Sequence, residues 1–342
     1  MYTYEMLTGK VSKAELLGEK EREFFRNQRI LITGAGGSIG SEIVKQIAKI
    51  SEVVYLATDH DESRLHSLSM AIDPRNIFPN RYFALMDIRD PLGMNEIFHK
   101  FQPTLVIHAA ALKHLSVLEF QPRDALLTNV YGTNDLLKLC KTFNVGTFVN
   151  ISTDKAASPT SVLGRSKRMG EIITSRADSE VEKGKYFSCR FGNVFASRGS
   201  VIETFSRQIE TGTPISLTDV DVTRFFMETS EAAFLCLKSI FLENHDIYIF
   251  DMGVQVKLLD IIQRMMIQAK KQVPIDVTGL RDGEKIHEIL SSQDEPLTRT
   301  SHELISGTEL KTSSFIVELQ EAINIKSADR LLNWLKNGWN EN

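Results

Sequence analysis

The chain has 342 residues, of which 42% are hydrophobic and 25% charged, as in an ordinary globular protein. A core of that size needs no metal or disulfide to stabilise it. The formal net charge of −4 argues against a nucleic-acid partner, so any anionic ligand must be held by local cationic side chains or helix N-termini. Three cysteines without metal-ligand spacing favour reduced thiols in a cytoplasmic protein, and we expect no metal site.

Residues 1–27 carry many charges and lack the apolar stretch of a signal peptide. No run of 18 apolar residues occurs in the chain, so we expect no transmembrane segment. The pattern of 1–27 predicts one or two short helices, an N-terminal arm that serves either for docking or as an oligomer contact.

Apolar strands alternate with helices from residue 29 to 191, which predicts an α/β fold of the Rossmann type. Its doubly wound parallel sheet would carry helices on both faces. The alternation loosens after residue 193, which indicates a smaller mixed α/β region above the carboxyl edge of the sheet. Strands are predicted at 29–33, 53–57, 82–86, 104–109, 147–152, 186–191, 215–217 and 247–250, and helices at 39–50, 64–71, 124–143, from about 166, and at 200–211, 230–242, 257–268 and 327–337.

The string TGAGGSIG (33–40) lies between the first predicted strand and the next helix. A GxGxxG pattern in that position is typical of dinucleotide binding. Gly34 permits the tight turn, Gly37 lets the backbone approach a pyrophosphate, and Gly40 lets helix and strand pack closely. Ser38 and Ile39 begin the helix whose N-terminus faces the pyrophosphate. The alternative is a purely structural glycine turn; a P-loop is excluded because no Gly-Lys-Ser/Thr follows.

Two aspartates at strand ends extend the cofactor prediction. Asp59 ends the second strand, where a carboxylate binds the adenosine ribose hydroxyls and repels a 2′-phosphate. This favours NAD over NADP, although His60 and Arg64 lie nearby in sequence. Asp87 ends the third strand and would meet the adenine; the alternative is an N-cap of the following helix.

We therefore divide the chain into an N-terminal helical arm (1–27), an NAD-binding Rossmann domain that carries the catalytic residues (28–192) and a substrate-binding cap region with a C-terminal helix (193–342). This division leaves open that some segments of the cap region add strands to the Rossmann sheet.

Four features together resemble the extended short-chain dehydrogenase/reductase superfamily: the glycine string, the turn Asp87-Ile88-Arg89-Asp90, the string beginning His108-Ala109-Ala110, and Ser152 followed by Lys167. Longer strings are similar to one branch, the nucleotide-sugar 4,6-dehydratases, typified by the UDP-N-acetylglucosamine 4,6-dehydratases of polysaccharide and glycan biosynthesis. These strings are HAAALKH (108–114), ISTDKAASPTSVLGRSKRMGE (151–171), RFGNVFASRGSV (190–201), TDVDVTRFFM (218–227) and GLRDGEKIHE (279–288).

The resemblance implies a lyase that oxidises C4 of the sugar, eliminates water across C5–C6 and returns the hydride to C6 on a tightly held NAD. It also implies a homo-oligomer. Many relatives in the branch carry N-terminal membrane helices, and this chain resembles a soluble version of their catalytic part. UDP-N-acetylglucosamine is the expected substrate, with a GDP-linked or another nucleotide sugar as the alternative.

The resemblance also implies roles for four residues. Asp154 would be the acid for the departing hydroxyl and Lys155 the base at C5, which requires a depressed lysine pKa. Thr153 or Asp154 would take the C4 hydroxyl proton, because Leu163 stands where the superfamily carries a tyrosine. Lys167 would hold the nicotinamide ribose and add positive charge. The alternative for Thr153–Lys155 is a helix-start turn with Asp154 as its cap.

Further residues are implied contacts of the ligands. Ile88, Ala109 and Ala110 would line the cofactor site, and Lys113 would border both cofactor and substrate. The implied substrate contacts are His114, Asn193, Arg198, Arg224, Arg281 and Glu284. Arg198 and Arg224 would hold the diphosphate, and Arg281 and Glu284 would lie near the nucleoside. A structural histidine at His114 and a solvated surface for the arginines are the alternatives.

Two other functions stay open at this stage. A nucleotide-sugar 4-epimerase or reductase would need the phenol that Leu163 replaces. A catalytically silent NAD-binding regulator would show the same loss, but it would not need Asp154, Lys155 and Lys167.

Overall fold

The computed structural model describes residues 2–75, 82–310, 314–324 and 326–339. A π-helical segment (Leu126–Gly132) and a 3-10 turn (Asp154–Ala156) interrupt the first half of the chain. The other elements of this half are α1 (Tyr4–Thr8), α2 (Glu19–Arg26), β1 (Arg29–Thr33), α3 (Ser38–Ala48), β2 (Val54–Asp59), α4 (Glu62–Ile72), β3 (Phe83–Leu85), α5 (Pro91–Phe101), β4 (Leu105–His108), α6 (Leu115–Phe120), α7 (Pro122–Ala125), α8 (Thr133–Thr142), β5 (Thr147–Ile151), α9 (Val162–Ser179) and β6 (Lys185–Arg190).

The second half has shorter strands between its helices. Its elements are β7 (Asn193–Val194), α10 (Val201–Thr211), β8 (Ile215–Leu217), β9 (Thr223–Arg224), β10 (Phe226–Met227), α11 (Thr229–Ser239), β11 (Ile247–Phe250), β12 (Val256–Lys257), α12 (Leu258–Ala269), β13 (Ile275–Val277), β14 (Thr298–Arg299), β15 (Ile305–Thr308), α13 (Ser314–Asn324) and α14 (Ala328–Asn337).

Nine strands of the described residues form the central sheet, in the order β14-β15-β11-β6-β5-β4-β1-β2-β3. The seven strands from β11 to β3 are parallel, and β15 pairs antiparallel with β11 and β14. All four residues of β4 are buried, as expected for a strand covered by helices on both faces. The predicted Rossmann-type fold is confirmed. Because the strand order reverses beside β1, a crevice opens there at the carboxyl ends of β1 and β4.

The region after residue 193 contributes to two layers. β11, β14 and β15 join the main sheet, whereas three two-stranded pairs (β7–β10, β9–β12 and β8–β13) and helices α10 and α12 form a cap with its own apolar cluster. Tyr4 and Leu7 of α1 pack into that cluster, and the Tyr4 hydroxyl donates to the Phe226 carbonyl over 3.0 Å. The N-terminal arm therefore docks on its own chain.

Two predicted helices differ from the structure for local reasons. Helix α9 begins at Val162, earlier than predicted, because the Ser161 side chain accepts a hydrogen bond from the Gly164 amide over 3.0 Å and caps it. The helix predicted at 124–143 contains the π-helical segment. Asn129 within it is buried and pairs with the backbone N–H and C=O of Leu112, so the segment is tied to the loop after β4.

No helix of the described residues is long and apolar enough to cross a membrane. The homo-oligomer, the cytoplasmic location and the three-part division of the chain stay predictions.

Candidate active site

The glycine loop between β1 and α3 has the tight packing that its sequence predicts. Gly34 adopts φ +66°, and a Cβ there would lie 2.4 Å from the amide nitrogen of Ala110. A Cβ on Gly40 would lie 2.2 Å from the Gly34 carbonyl oxygen. Both positions therefore require glycine. Gly37 precedes α3 as its N-cap, so the free N–H groups of that helix point into the crevice.

Asp59 stabilises this loop and also lines the crevice. Its Oδ2 accepts a hydrogen bond from the Gly36 amide over 2.8 Å, and its Oδ1 accepts one from the Asp61 amide over 3.0 Å. A carboxylate oxygen accepts more than one hydrogen bond, so Asp59 keeps acceptor capacity towards a ligand.

A cleft of about 360 Å³ runs from the glycine loop to α6. Its walls combine main chain at the glycine loop with alanines, which leaves room for a ligand close to the backbone. The lining includes Gly34, Gly37, Asp59, Asp87, Ile88, Ala109, Ala110, Lys113 and His114. Most of the predicted cofactor contacts are thus brought together.

Asp87 is not the N-cap of α5, so that alternative is wrong. Asp90 caps the helix, accepting hydrogen bonds from the Leu92 and Gly93 amides. Asp87 instead forms an ion pair with Arg89, whose Nη2 donates to Oδ2 over 2.6 Å. The hydrogen bond from Arg89 lowers the pKa of Asp87 below its ordinary value, so the carboxylate is charged at the cleft wall.

Cationic side chains gather at the mouth of the cleft. The Arg198 amide donates to the Ser38 hydroxyl over 3.3 Å, and Gly199 lies against the His114 ring. Burial, followed by the charges of Arg198 and Arg64, lowers the pKa of Lys113. Arg198 therefore lies beside the start of α3 and Lys113, at the end of the cleft where a pyrophosphate would meet the helix N-terminus.

The predicted catalytic residues form a separate cluster where β5 ends. Asp154 is fully buried, and its Oδ1 accepts hydrogen bonds from the Thr153 hydroxyl over 2.9 Å and from Lys155 Nζ over 3.0 Å. Asn193 Oδ1 accepts from the same Nζ over 3.3 Å. Thr153, not Asp154, is the N-cap of the 3-10 turn, so the capping alternative for Asp154 is wrong.

The pKa of Lys155 is raised in this structure, not depressed. Burial opposes the charged ammonium, but the nearby carboxylates of Asp154 and Glu288 outweigh burial and raise the pKa of Lys155. Lys155 is therefore a cation in this arrangement and needs a partner that takes its proton before it can act as a base.

Lys167 has the depressed pKa instead. It lies on α9, is 6% exposed, and burial lowers its pKa to about 8 against the opposing charge of Glu171. One turn earlier, Leu163 is 4% exposed and belongs to an apolar cluster with Leu118 and Leu335. A leucine side chain has no proton to exchange, and the packing of Leu163 indicates a structural position.

For Arg224, the alternative of a solvated surface residue is wrong. It is 6% exposed, and its Nη2 donates to Glu284 Oε1 over 2.9 Å, while Nη1 donates to the Ile286 carbonyl over 3.1 Å. The Arg281 amide donates to Glu284 Oε2 over 3.3 Å. The structure thus brings Arg224, Glu284 and Arg281 together at one side of the Lys155 cluster.

Sequence reasoning missed two groups of charged residues. Glu288 is 2% exposed, and its Oε1 lies 3.7 Å from Lys155 Nζ. Its only sequence signal was its place at the end of the string GLRDGEKIHE. The second group is a buried cluster of two arginines and two glutamates, Arg168, Glu171, Arg190 and Glu295. Arg168 and Glu171 lie three residues apart on α9, but no local pattern predicts that Arg190 and Glu295 join them from distant segments.

Comparisons with known proteins place these features in a family. Residues 30–309 match the model of the polysaccharide biosynthesis protein family, which is more than half of the chain. The chain belongs to this family. The resemblance to the extended short-chain dehydrogenase/reductase superfamily is thereby confirmed.

Three relatives show how far the family likeness extends. The capsular polysaccharide biosynthesis protein CapD of Staphylococcus aureus is 33% identical over 94% of this chain and 57% of its own length. The probable polysaccharide biosynthesis protein EpsC of Bacillus subtilis is 36% identical over 79% of this chain and 46% of its own. The chain thus spans about half the length of these two relatives. A UDP-glucose 4-epimerase of Rickettsia rickettsii is 30% identical over 79% of this chain and 80% of its own length.

Two solved structures share the fold. The structure of Pen from Bacillus thuringiensis superposes with a TM-score of 0.76 at 26% identity, covering 90% of this chain and 99% of that one. The UDP-glucose 4-epimerase of Thermus thermophilus in complex with NAD has a TM-score of 0.65 at 22% identity. The superposition covers 77% of this chain and 90% of that one. The second likeness shows the fold alone.

Proposed function

We propose that this family member is an NAD-dependent nucleotide-sugar 4,6-dehydratase and that UDP-N-acetylglucosamine is its substrate. One observation carries the proposal: a hydrogen-bonded Thr153–Asp154–Lys155 cluster stands at the carboxyl end of β5, while the apolar Leu163 fills the position of the superfamily's tyrosine. The site thus has an acid and a base for an elimination but lacks the phenol that simple ketone chemistry uses.

The described residues fit a nicotinamide dinucleotide. Gly34 and Gly40 leave no space for a Cβ, and the α3 N-terminus opens onto the cleft beside them. Gly37, Ser38 and Asp59 would hold the pyrophosphate and the adenosine ribose, and Lys167 the nicotinamide ribose. When bound, the dinucleotide would accept a hydride from sugar C4 and supply it again at C6. The NAD complex of the Thermus enzyme, which shares the fold, supports this assignment.

The cluster supplies the proton transfers. The Thr153 hydroxyl, 2.9 Å from Asp154, would pass the C4 hydroxyl proton to that carboxylate. Lys155, as the neutral amine, would take the C5 proton, and protonated Asp154 would give its proton to the departing 6-hydroxyl, which leaves as water. The Lys155 ammonium would then return a proton to C5.

Arginines on both sides of the cluster would hold the nucleotide. Arg224 is fixed by Glu284 and by backbone carbonyls, so it presents a guanidinium of set orientation. Arg281 and Glu284 are suited to the nucleoside, and Lys113, His114 and Arg198 to the diphosphate end. Asn193, which accepts from Lys155, would help to orient the sugar.

A nucleotide-sugar 4-epimerase is the second candidate. The 30% identity to the Rickettsia epimerase favours it. The burial of Leu163 in an apolar cluster speaks against it, because an epimerase of this superfamily would need a proton-exchanging group at that position.

The test is incubation of the purified protein with UDP-N-acetylglucosamine, followed by NMR of the products without added reduced cofactor. A 4-keto-6-deoxy sugar nucleotide supports dehydration. A C4 epimer supports the second candidate, and no turnover with several UDP- and GDP-linked sugars rejects both.

A further inference from the structure

Glu288 is a buried carboxylate inside the Lys155 cluster that the mechanism above does not use. Its side chain is 3% exposed, with Oε1 3.7 Å from Lys155 Nζ and Oε2 3.9 Å from Lys285 Nζ. Among the described residues, no donor makes a hydrogen bond to Oε2. A buried carboxylate oxygen without a donor is an unsatisfied acceptor, an arrangement that is uncommon in a folded protein.

The segment that carries Glu288 is anchored on both sides. Lys285 Nζ donates to the carbonyl oxygens of Ala157 (3.1 Å) and Ser158 (2.6 Å), just beyond the catalytic turn. On the other side, Arg190 donates to the Leu290 carbonyl over 3.0 Å and to Glu295 Oε2 over 2.7 Å. Glu288 is therefore held beside Lys155 by charged contacts that a mobile loop would lack.

Counting protons shows why the proposed dehydration needs such a group. In the resting cluster, Asp154 and Lys155 together hold one proton, on the lysine. Oxidation at C4 adds the hydroxyl proton, which makes two. If the two residues held both, Asp154 would be a neutral acid and Lys155 an ammonium, and no base would remain for C5.

A third proton site resolves this count. With one proton on Asp154 and one on Glu288, Lys155 is a neutral amine. Elimination then moves the C5 proton to Lys155 and the Asp154 proton to the leaving hydroxyl. After Lys155 reprotonates C5, the proton left on Glu288 returns to Lys155, and the resting state is restored without loss or gain of protons.

We propose that Glu288 is a positioning residue that holds the Lys155 ammonium in the resting site and stores its proton while Lys155 acts as the base. This inference rests on the proposed dehydration. The charged groups that face Lys155 are Asp154 from its own turn, Glu288 and Lys285 from the anchored segment, and Arg224 from β9. Within the described part of the chain, Asp154 and Glu288 are the two carboxylates that favour the ammonium. Removal of Glu288 leaves Asp154 alone to oppose the repulsion of Lys155 by Lys285 and Arg224.

The test measures the protonation of Lys155 without any turnover. The 342-residue protein is labelled with trace acetic anhydride across a pH series, and acetylation of Lys155 is read by mass spectrometry. The variants are Glu288→Gln, Glu288→Asp and, as a matched control, Glu303→Gln on an exposed loop. Thermal unfolding of each variant verifies that it is folded.

We expect the labelling midpoint of Lys155 to fall by about one pH unit or more in Glu288→Gln, since a charge at this distance has been removed. Glu303→Gln should match the wild type, and Glu288→Asp, which keeps a carboxylate one methylene further away, should lie between. Equal midpoints in the wild type and Glu288→Gln would overturn the inference. If Glu288→Gln does not fold, the inference is overturned when Lys155 has the same labelling midpoint in Glu288→Asp and in the wild type.

Turnover separates this inference from the proposed function. If the wild type dehydrates UDP-N-acetylglucosamine, Glu288→Gln should lower kcat by about 100-fold with little change in KM, because a proton-transfer step is impaired. An unchanged kcat would reject proton storage even if the midpoint moves. If the wild type does not dehydrate, the proposed function fails and proton storage with it, whereas the midpoint still decides whether Glu288 holds the ammonium.

Discussion

The Nζ atom of Lys155 lies 3.0 Å from Oδ1 of Asp154, with Asp154 fully buried and Lys155 half-buried at the end of β5. The base and the acid of the proposed elimination are thus one hydrogen bond apart. Catalysis in this site depends on where the protons of the cluster reside when the substrate is bound.

Replacement of Lys155 by methionine should abolish dehydration while leaving the cofactor site intact. Methionine is similar in length but cannot take the C5 proton, so kcat should fall by about 10²–10⁴-fold. NMR of the products measures turnover, and the dinucleotide released from denatured protein measures the bound cofactor. Lys100→Met, at an exposed ion pair on α5, is the matched control and should retain activity. Full activity in Lys155→Met would remove Lys155 from the mechanism.

Leu163 should tolerate methionine but not tyrosine. Leu163→Met conserves volume and should cost less than about 1.5 kcal/mol, with unchanged turnover. Leu163→Tyr introduces a larger, polar side chain into the apolar cluster and should lower the free energy of unfolding by about 1–3 kcal/mol without producing an epimerase. Denaturant unfolding and product NMR provide both measurements. A folded Leu163→Tyr variant that epimerises C4 would contradict a purely structural role for this position.

Gly40→Ala should disrupt the dinucleotide site because its Cβ would lie 2.2 Å from the Gly34 carbonyl oxygen. Either the loop or α3 must move, and affinity for NAD should fall by at least tenfold, or about 1.4 kcal/mol. Calorimetric titration with NAD measures the change. Gly146→Ala is the matched control, because its Cβ would meet nothing closer than 3.6 Å. Equal affinities in the two variants would contradict the assignment of the loop.

The buried cluster around Arg190 should make part of the stability depend on pH. Burial alone would raise the pKa of Glu295, but the hydrogen bonds and charge of Arg190 outweigh burial and lower it to about 2. A depressed carboxylate pKa contributes stability above the unfolded value of about 4.3, and this contribution is lost as the pH falls towards 2.

Glu295→Gln should therefore lower the free energy of unfolding by about 3 kcal/mol at pH 7. The difference in the free energy of unfolding between Glu295→Gln and the wild type should shrink as the pH falls from about 5 to about 3. Urea unfolding at three pH values measures this, with Glu303→Gln as the exposed control. A difference that stays constant with pH would mean that the ion pairs are not its source.

The sequence predicted the sheet and the cofactor loop because both depend on local patterns. Continuous apolar runs define β1 and β4 through β6, and the glycine spacing defines the turn before α3. Helix ends were less predictable, since the cap at Ser161 and the π-helical segment depend on side-chain hydrogen bonds that apolar spacing does not reveal.

The charge states in the site could not be predicted from sequence. Burial opposes the Lys155 ammonium, but the charge of Asp154 from the same motif raises the Lys155 pKa, and Glu288, from a segment more than 100 residues away, raises it further. The same holds for Arg224, whose partner Glu284 lies in a distant string. Electrostatics depends on the groups that tertiary folding brings close, and those contacts are invisible in a single local motif.

The central claim is that the hydride taken from C4 of the sugar returns to C6 of the same molecule. UDP-N-acetylglucosamine carrying deuterium at C4 tests it directly, with NMR of the product nucleotide sugar as the readout. We predict that the deuterium appears at C6 of a 4-keto-6-deoxy product. Deuterium retained at C4 of an epimerised sugar, or a substrate recovered unchanged, would contradict the account.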